Sequence, residues 1–405
     1  APEDVRALET ISKSPRLGDI VRLAYRKQVN RQPTRVALTV PEGEEAEWQP
    51  TALLNYGLKL GGKSALTADG APVYKGQNVF PSGLRGEAMG RCDSTTYDKA
   101  DHLYIYLYRS LFDTVRMFVI RTISQLPTAC RLPADAVFQN TVFLTQLVED
   151  FPLHIYLLSR AVQWYCAKLL RSSIVEDLTT TWVKKHLLMI PIPAPERRTP
   201  ALTENLERVG EALLAADQDL ADAHRHVDDA IRTSASTPLV TLLINNDPRS
   251  HGLDLHLPQE PVPIVGAREC GMDIVGDNLL FKVTVSDAGL RRFMLYTFKR
   301  MLGEDPEAEV TREDVGRLSV PTDLTPVIAA IEALTAHDRQ GAFDAALTEL
   351  DEVVGPALGL GADQLAYVIA EMQNDGFLKE LRPMYAHRGL RVQPYADHSE
   401  SDRYQ

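Results

Sequence analysis

The chain has 405 residues, of which 44% are hydrophobic and 24% charged, the composition of an ordinary globular protein of two or three domains. No apolar run approaches the roughly 18 residues that a membrane span needs, so a membrane location is not expected. The four cysteines, Cys92, Cys130, Cys166 and Cys270, are scattered. Their spacing argues against a disulfide framework and a zinc ribbon and favours the reducing cytoplasm.

The two halves of the chain differ in charge. The formal net charge is −12, but residues 1–200 carry 25 Lys and Arg against 20 Asp and Glu, whereas residues 201–405 carry 18 against 35. Only the first half has the charge balance to attract a polyanion. The alternative is that acidic helical surfaces simply keep the chain in solution.

Chain order gives the expected elements. Residues 36–100 are broken by Gly and Pro and read as loops with short strands. Strands are predicted at Met117–Ile123 and Ala136–Leu144, and a helix over residues 153–171. The start, Ala1-Pro2-Glu3-Asp4, is acidic rather than signal-like, and its lack of Met indicates a piece of something longer.

A heptad pattern is the clearest periodicity. Apolar residues recur at alternating spacings of three and four, and no Gly or Pro occurs between Glu211 and Arg232. The seam consists of Leu206, Val209, Leu213, Ala216, Leu220, Ala223, Val227 and Ala230. This seam predicts a long helix that packs on one partner helix, with plain core packing as the alternative. The spacing of apolar residues between Val327 and Val354 predicts that the partner helix lies in the same chain.

The chain also contains an internal repeat. A helix, a charged turn, an extended stretch ending in Pro and a Thr-Pro helix start follow each other twice. The first copy contains Lys184–Pro191 and Thr199-Pro200, and the second contains Arg312–Pro321 and Thr325-Pro326. Thr before Pro suits a helix N-terminus.

One segment matches a motif that binds nucleotide phosphates. Gly57–Ser64 matches the phosphate-binding pattern G-x-x-x-x-G-K-[ST], which requires a long helix after it. Gly70 and Pro72 stop any such helix within about two turns. A nucleotide hydrolase that uses Lys63 and Ser64 therefore stays as an alternative only. No catalytic residues and no metal ligands are predicted: His224 and His226 point in different directions on a helix.

An ordered set of segments carries a family resemblance. The segments are Val73–Val79, Val119–Ile123, Val137–Val142, Tyr156–Leu158 and Lys184–Pro193. Together they resemble the target-recognition domain of restriction–modification enzymes over residues 30–200. The similar families are Taq-like N6-adenine DNA methyltransferases, Type IIG enzymes and the specificity subunits of Type I systems. In these families a long helical spacer follows the recognition domain, and specificity subunits carry two such units.

The chain departs from these methylases in one respect. Their loop for the flipped adenine contains a Pro-Pro pair, and this sequence has none. Neither an S-adenosylmethionine loop nor a nuclease motif is recognisable. The resemblance therefore implies the DNA-reading part of a methylase system without its catalytic part, and S-adenosylmethionine is expected only in an associated methylase domain.

Candidate DNA contacts follow from side-chain chemistry. Lysine contacts phosphate, Gln and Asn bond adenine bidentately, and Arg bonds guanine. The predicted set is Lys75, Gln77, Asn78, Arg85, Arg121, Asn140, Lys184 and Lys185. Each has a structural alternative: the amides can close turns or satisfy backbone, Arg121 can form an ion pair at the core edge, and the lysines can be simply solvated.

The prediction is an α+β chain with a mixed-sheet recognition domain (1–200), a coiled-coil-like helical spacer (201–235), a second, smaller recognition-like α/β unit (236–325) and C-terminal helices (326–405). The predicted function is sequence-specific binding of double-stranded DNA that directs an N6-adenine methyltransferase in cytoplasmic restriction–modification or phage defence. The expected partners are DNA and a methyltransferase domain or subunit. An acidic protein-interaction or inhibitor module is the second alternative.

Overall fold

Short strands and helices build two units, described here from a computed structural model. Unit 1 joins residues 1–214 with 344–385, and unit 2 joins 215–343 with 386–405. The division falls inside the helices Pro200–Thr233 and Arg339–Ala357. The domain boundaries expected near residues 200, 235 and 325 stay a prediction. The structure describes residues 2–29, 32–40, 42–57, 66, 69–92, 116–133, 136–170, 180–277, 280–304, 308–381 and 384–388.

Two stacked sheets form the centre of unit 1. One is antiparallel, with strands in the order Ala129–Arg131, Met117–Arg121, Val142–Gln146 and Leu54–Tyr56. The other is mixed, because Val137–Phe138 runs parallel to Ala71–Tyr74, which pairs antiparallel with Gly90–Cys92. Buried apolar side chains of both sheets, including Val73, Val119, Cys130, Phe138 and Val142, share one core. A mixed sheet is therefore present in this unit, within an α+β fold.

Further short elements complete unit 1. A three-stranded sheet has the order Gln32–Ala37, Leu23–Val29 and Trp48–Ala52. Two-stranded pairs are Val79–Phe80 with Gly83–Leu84 and Ile123–Ser124 with Thr180–Thr181. The helices lying wholly in this unit are Pro2–Ser12, Leu17–Ile20, Leu153–Tyr156, Arg160–Tyr165, Lys184–Leu188 and Ala362–Asn374.

Two predicted elements are broken by polar residues. The strand expected over Ala136–Leu144 is two strands in different sheets, separated by a turn at Asn140 and Thr141. The helix expected over 153–171 stops and restarts at Ser159, whose hydroxyl caps the second helix by accepting the Ala161 N–H at 3.3 Å. Local side-chain hydrogen bonding therefore overrides the apolar periodicity in this second segment.

The heptad helix is present and has a partner within the chain. Its seam residues Leu206, Val209 and Leu213 are buried. In unit 1, the Arg208 Nη2 lies 2.9 Å from the Glu349 Oε1 of the helix Arg339–Ala357. In unit 2, Arg339 of that helix lies 2.9 Å from Asp219. The two helices are thus joined in each unit.

Unit 2 is built around an antiparallel sheet with the strand order Asp254–His256, Lys282–Thr284, Asp273–Val275 and Arg268–Cys270. Its strand pairs are Ser236–Pro238 with Ser319–Pro321 and Val262–Pro263 with Glu309–Val310. Its helices are Leu239–Ile244, Ala288–Glu304, Arg312–Gly316 and Thr325–Thr335.

The internal repeat appears in the backbone hydrogen bonds of the two units. In unit 1 the Leu17 N–H donates to the Ile190 carbonyl at 2.7 Å, where Arg16 also bridges Pro191. In unit 2 the Leu239 N–H donates to the Leu318 carbonyl at 2.9 Å. In both cases a short helix starts at the donor, and a second short helix, Lys184–Leu188 or Arg312–Gly316, precedes the acceptor.

A reversal of side-chain size marks the same position in both units. In unit 1, Gly18 faces Leu188, whose Cβ would lie 3.5 Å from a Cβ added to that glycine. In unit 2 the large and small partners are exchanged, because a Cβ on Gly316 would lie 3.6 Å from Val240. The exchange keeps the packed volume similar. We call this repeat the frame. It consists of Leu17–Ile20 with Lys184–Pro191 in unit 1 and of Leu239–Ile244 with Arg312–Pro321 in unit 2. The residues inserted between the two segments, 22–183 and 245–310, differ between the units.

The described part of the chain contains neither a disulfide nor a helix suited to cross a membrane. All four cysteines lie in it and none forms a disulfide. Burial raises the pKa of the Cys130 thiol to about 12, so this thiol is protonated at neutral pH. Among the described helices, none combines the length and the apolar composition required to cross a bilayer.

Candidate nucleic-acid interface

The segment Lys75–Asn78 forms a tight turn that Asn78 holds closed. The buried Asn78 amide oxygen accepts the Lys75 N–H at 3.0 Å, and its amide nitrogen donates to the Arg85 carbonyl at 2.7 Å. Gln77 lies between them and is exposed, with no hydrogen bond to any other described residue. The turn therefore uses Asn78 for its own structure and leaves Gln77 exposed.

Thr141 connects this turn to the sheet. Its hydroxyl accepts the Gly76 N–H at 2.7 Å, and its carbonyl accepts both the N–H and the hydroxyl of Thr122, at 3.1 and 2.7 Å. Gly76 is required because a Cβ at this position would lie 2.5 Å from the Thr141 carbonyl oxygen. These bonds bring together the Lys75–Asn78 turn, the Asn140–Thr141 bend and the strand end at Arg121.

Arg121 is a cation without a counterion in the described structure. It closes the strand Met117–Arg121, and its Nε and Nη1 atoms are buried without a hydrogen-bond partner among the described residues. Burial lowers the pKa of its guanidinium to about 10, which still leaves it charged at neutral pH. An unpaired buried charge is costly, so an incoming anion or acceptor at this position would be stabilising.

Asn140 lies beside Thr141 in the bend and is exposed. Its side chain makes no hydrogen bond within the described part of the chain, so both amide functions remain available to a ligand. An amide presents a donor and an acceptor together, which is the pair that the major-groove edge of adenine matches. Asn140 and Gln77 thus flank Thr141 as two such groups.

Arg85 extends the turn into the hairpin Val79–Phe80 with Gly83–Leu84. Its N–H donates to the Asn78 carbonyl at 2.9 Å, and its guanidinium lies 5.5 Å from the centre of the Phe80 ring and 3.2 Å from the Ser82 hydroxyl. The ring and the hydroxyl restrict the guanidinium while leaving it charged. Arg85 therefore lies next to the turn that carries Lys75 and Gln77.

Lys184 and Lys185 begin a short helix connected to the same strand end. Trp182 is buried and donates its N–H to the Thr122 carbonyl at 2.6 Å. Lys185 is exposed, whereas the Lys184 ammonium donates to the Ala52 carbonyl at 3.1 Å. Burial, together with the nearby Arg26 charge, lowers the pKa of Lys184. The two lysines border a shallow open depression with Leu188 and Met189.

The structure therefore sorts the predicted residues into two groups. Around Thr141 it gathers Lys75, Gln77, Asn78, Arg85, Arg121 and Asn140. The second group, Lys184 and Lys185, is reached through the Trp182–Thr122 bond. Thr122, Thr141 and Trp182 were not predicted from the sequence, because hydroxyl and indole groups that brace backbone leave no periodic signal.

The cations of the two units differ in their pairing. Ten of the twelve Lys and Arg residues of 215–343 form ion pairs with carboxylates. In unit 1, several described cations make no ion pair with another described residue. These are Lys13, Arg26, Lys75, Arg116, Arg121, Lys184 and Lys185. Among the described residues, unit 1 therefore holds most of the cations that make no ion pair, whereas Lys299 and Arg312 are the two exceptions in 215–343.

Other sequence motifs do not form a second site in the described part. Of the phosphate-loop pattern only Gly57 is described, residues 58–64 lying outside, and a strand starts at Ala71 where a helix would have to run. His224 lies 3.3 Å from the Tyr296 hydroxyl, and burial, with Arg300 and His387 nearby, lowers its pKa to about 3. The described residues contain no cluster of three metal-ligating side chains.

Comparison with known proteins gives one kind of match. No family model and no curated protein matches this chain. Among solved structures, a Type I restriction-modification system S subunit from M. genitalium is similar, with 11% sequence identity and a TM-score of 0.28. The match covers 78% of this chain and 92% of that one.

Proposed function

We propose that the chain binds double-stranded DNA in a sequence-specific manner and directs an N6-adenine methyltransferase to it. The observation that supports this best is the cluster around Thr141. It brings Gln77 and Asn140, two amides that make no hydrogen bond to another described residue, close to the cations Lys75 and Arg121. Amides and guanidinium groups read base edges, and lysines hold phosphates. This combination is the chemical minimum for reading a duplex.

The roles within the cluster differ. Gln77 and Asn140 read adenine edges, Arg121 reads guanine or holds a phosphate, and Lys75, Arg85, Lys184 and Lys185 hold phosphates. Asn78 keeps the turn that presents Gln77 in place. Rigid support matters because a base-reading side chain must arrive in its bonding geometry without a large entropy cost.

Selection from a random duplex library tests the DNA-reading role. We expect the wild-type chain to enrich one short sequence and Gln77→Ala or Asn140→Ala to bind it about 5- to 150-fold more weakly, with relaxed preference at one position. Lys75→Ala should weaken all sequences alike. Gln218→Ala, an amide change on the long helix, is the matched control and should bind as wild type. Enrichment of no sequence would refute the proposal.

The methyltransferase role is tested separately. The chain is mixed with an N6-adenine methyltransferase subunit from the same genome, S-adenosylmethionine and the selected duplex. We expect adenine methylation at the selected sequence only when both proteins are present, and loss of this directed methylation with Gln77→Ala. Methylation that ignores the selected sequence would refute the directing role and leave DNA reading intact.

A further inference from the structure

The repeated frame lets positions of unit 1 be matched to positions of unit 2. The helices Lys184–Leu188 and Arg312–Gly316 hold the same place in the two frames. Two pairs of buried residues agree with this match: Leu187 corresponds to Val315 and Ile190 to Leu318. Lys185 thereby corresponds to Glu313.

The strand pairs that precede these helices extend the match. Thr181, three residues before Lys184, pairs with Ile123. Glu309, three residues before Arg312, pairs with Pro263. Ile123 and Pro263 therefore correspond, and so do the residues two positions before each of them, Arg121 and Pro261.

At two of the matched positions, Arg121 with Pro261 and Lys185 with Glu313, unit 2 lacks the cation that unit 1 has. Where unit 1 has Arg121, unpaired in the described structure, unit 2 has Pro261, which carries neither charge nor a hydrogen-bond donor. The exposed Lys185 is replaced by Glu313, which forms an ion pair with Arg317. At these two positions unit 2 thus lacks the cations of unit 1, whereas Arg312 keeps the positive charge of its counterpart Lys184.

The inserts between the frame segments follow the same trend. Residues 22–183 carry 18 Lys and Arg against 15 Asp and Glu, whereas residues 245–310 carry 7 against 11. The described cations of the second insert are largely neutralised, for example Arg249 by Asp247 and Lys282 by Asp273, both at 2.9 Å. A net negative surface repels a duplex at distances within the screening length.

We infer that unit 1 alone reads DNA and that the target is one continuous segment, although the chain repeats its supporting frame. This inference rests on the proposed function and limits its target: the second unit keeps the frame but contributes no base reading and no phosphate contact. A duplicated reader would protect two segments separated by a gap, whereas a single reader protects one.

Hydroxyl-radical footprinting of the full chain on the duplex selected above tests the inference. We expect one uninterrupted protected segment. Two protected segments separated by exposed positions would overturn the inference and leave the proposed function standing, whereas failure to bind any selected sequence would overturn both.

Matched charge reversals give an independent measurement. Lys185→Glu in unit 1 should weaken binding on the order of tenfold, and Arg312→Glu, an exposed cation at the start of the corresponding helix in unit 2, should leave affinity unchanged. Circular dichroism checks that both variants are folded. An equal loss of affinity in the two variants would overturn the inference even if only one segment is protected.

Discussion

Single residues decide whether the turn Lys75–Asn78 can form, and Gly76 is the most sensitive of them. Gly76→Ala places a Cβ 2.5 Å from the Thr141 carbonyl oxygen, so the turn must move away from the sheet. We expect unfolding free energy to fall by about 1–3 kcal/mol and DNA affinity to fall with it. Thermal unfolding and binding titration measure both quantities.

Gly303→Ala is the control for that substitution. Gly303 lies in the helix Ala288–Glu304, and a Cβ there would meet no atom within 4 Å. Its replacement should leave stability unchanged or raise it by about 0.5–1 kcal/mol, since Ala favours a helix. A Gly76→Ala chain as stable and as active as this control would contradict the role given to the Thr141 contact.

A second residue-scale prediction concerns pH. Burial, and secondarily the charge of Arg131, lowers the pKa of His154 to about 3, and its Nδ1 has no hydrogen-bond partner among the described residues. Between about pH 6.5 and 3 the unfolded chain binds a proton at His154 that the folded chain does not. Stability contributed by the neutral imidazole is therefore complete above pH 6.5 and declines as the pH falls through this window.

His154→Phe should remove this part of the pH dependence. The ring of Phe118 lies 5.8 Å away, so an aromatic replacement retains packing. Urea denaturation at several pH values measures the free energy of unfolding of both proteins. Between pH 7.5 and 5 the wild-type value should fall more than that of the variant, by at most about 1.4 kcal/mol per pH unit. Parallel pH profiles for the two proteins would show that His154 is not the group responsible.

At the scale of elements, a buried ion pair holds the broken helix of unit 1 against the helix Arg339–Ala357. The Asp351 carboxylate is fully buried and accepts bonds from the Ser159 hydroxyl at 2.8 Å, the Arg160 N–H at 2.7 Å and the Arg160 Nε at 2.5 Å. Arg160 also donates to the Thr348 hydroxyl at 3.0 Å. This network thus connects Ser159 and Arg160, where the second helix of this segment begins, to the helix Arg339–Ala357.

Removal of that carboxylate should be severe. Asp351→Ala leaves the Arg160 charge buried without its partner, and we expect a loss of about 3–5 kcal/mol in unfolding free energy. Glu349 lies on the same helix, two residues from Asp351, and forms an exposed ion pair with Arg208. Glu349→Gln breaks this pair and should cost less than about 1 kcal/mol. Urea denaturation followed by circular dichroism compares the two, and similar losses would contradict the importance of the buried network.

At the scale of the whole molecule, the difference in cation pairing predicts how DNA affinity responds to salt. Five candidate phosphate contacts, Lys75, Arg85, Arg121, Lys184 and Lys185, predict a slope of log affinity against log salt no steeper than about −4.5. Lys185→Ala should reduce this slope by about 0.9, and Lys282→Ala, whose ammonium pairs with Asp273 in unit 2, should not change it. A much steeper slope, or a change with Lys282→Ala, would show that unit 2 also contacts phosphate.

Sequence alone was sufficient for what repeats locally or sums over many residues. The helix Pro200–Thr233 follows from the heptad spacing of Leu206, Val209 and Leu213, because helical periodicity is a property of neighbouring residues. The paired Pro-ended segments gave the repeat, and residue counts gave the division into a cationic front and an anionic rear. The proposed DNA-reading role began from these features and from the family resemblance.

Only the tertiary structure decided which side chains remain available. The Gly76–Thr141 bond joins residues 65 positions apart, and it places Gln77 beside Asn140. It also shows that Asn78 is used by its turn, whereas Arg121 ends a strand without a counterion in the described structure. Such outcomes depend on contacts between distant segments, and neither composition nor spacing along one segment encodes which polar group finds a partner across the fold.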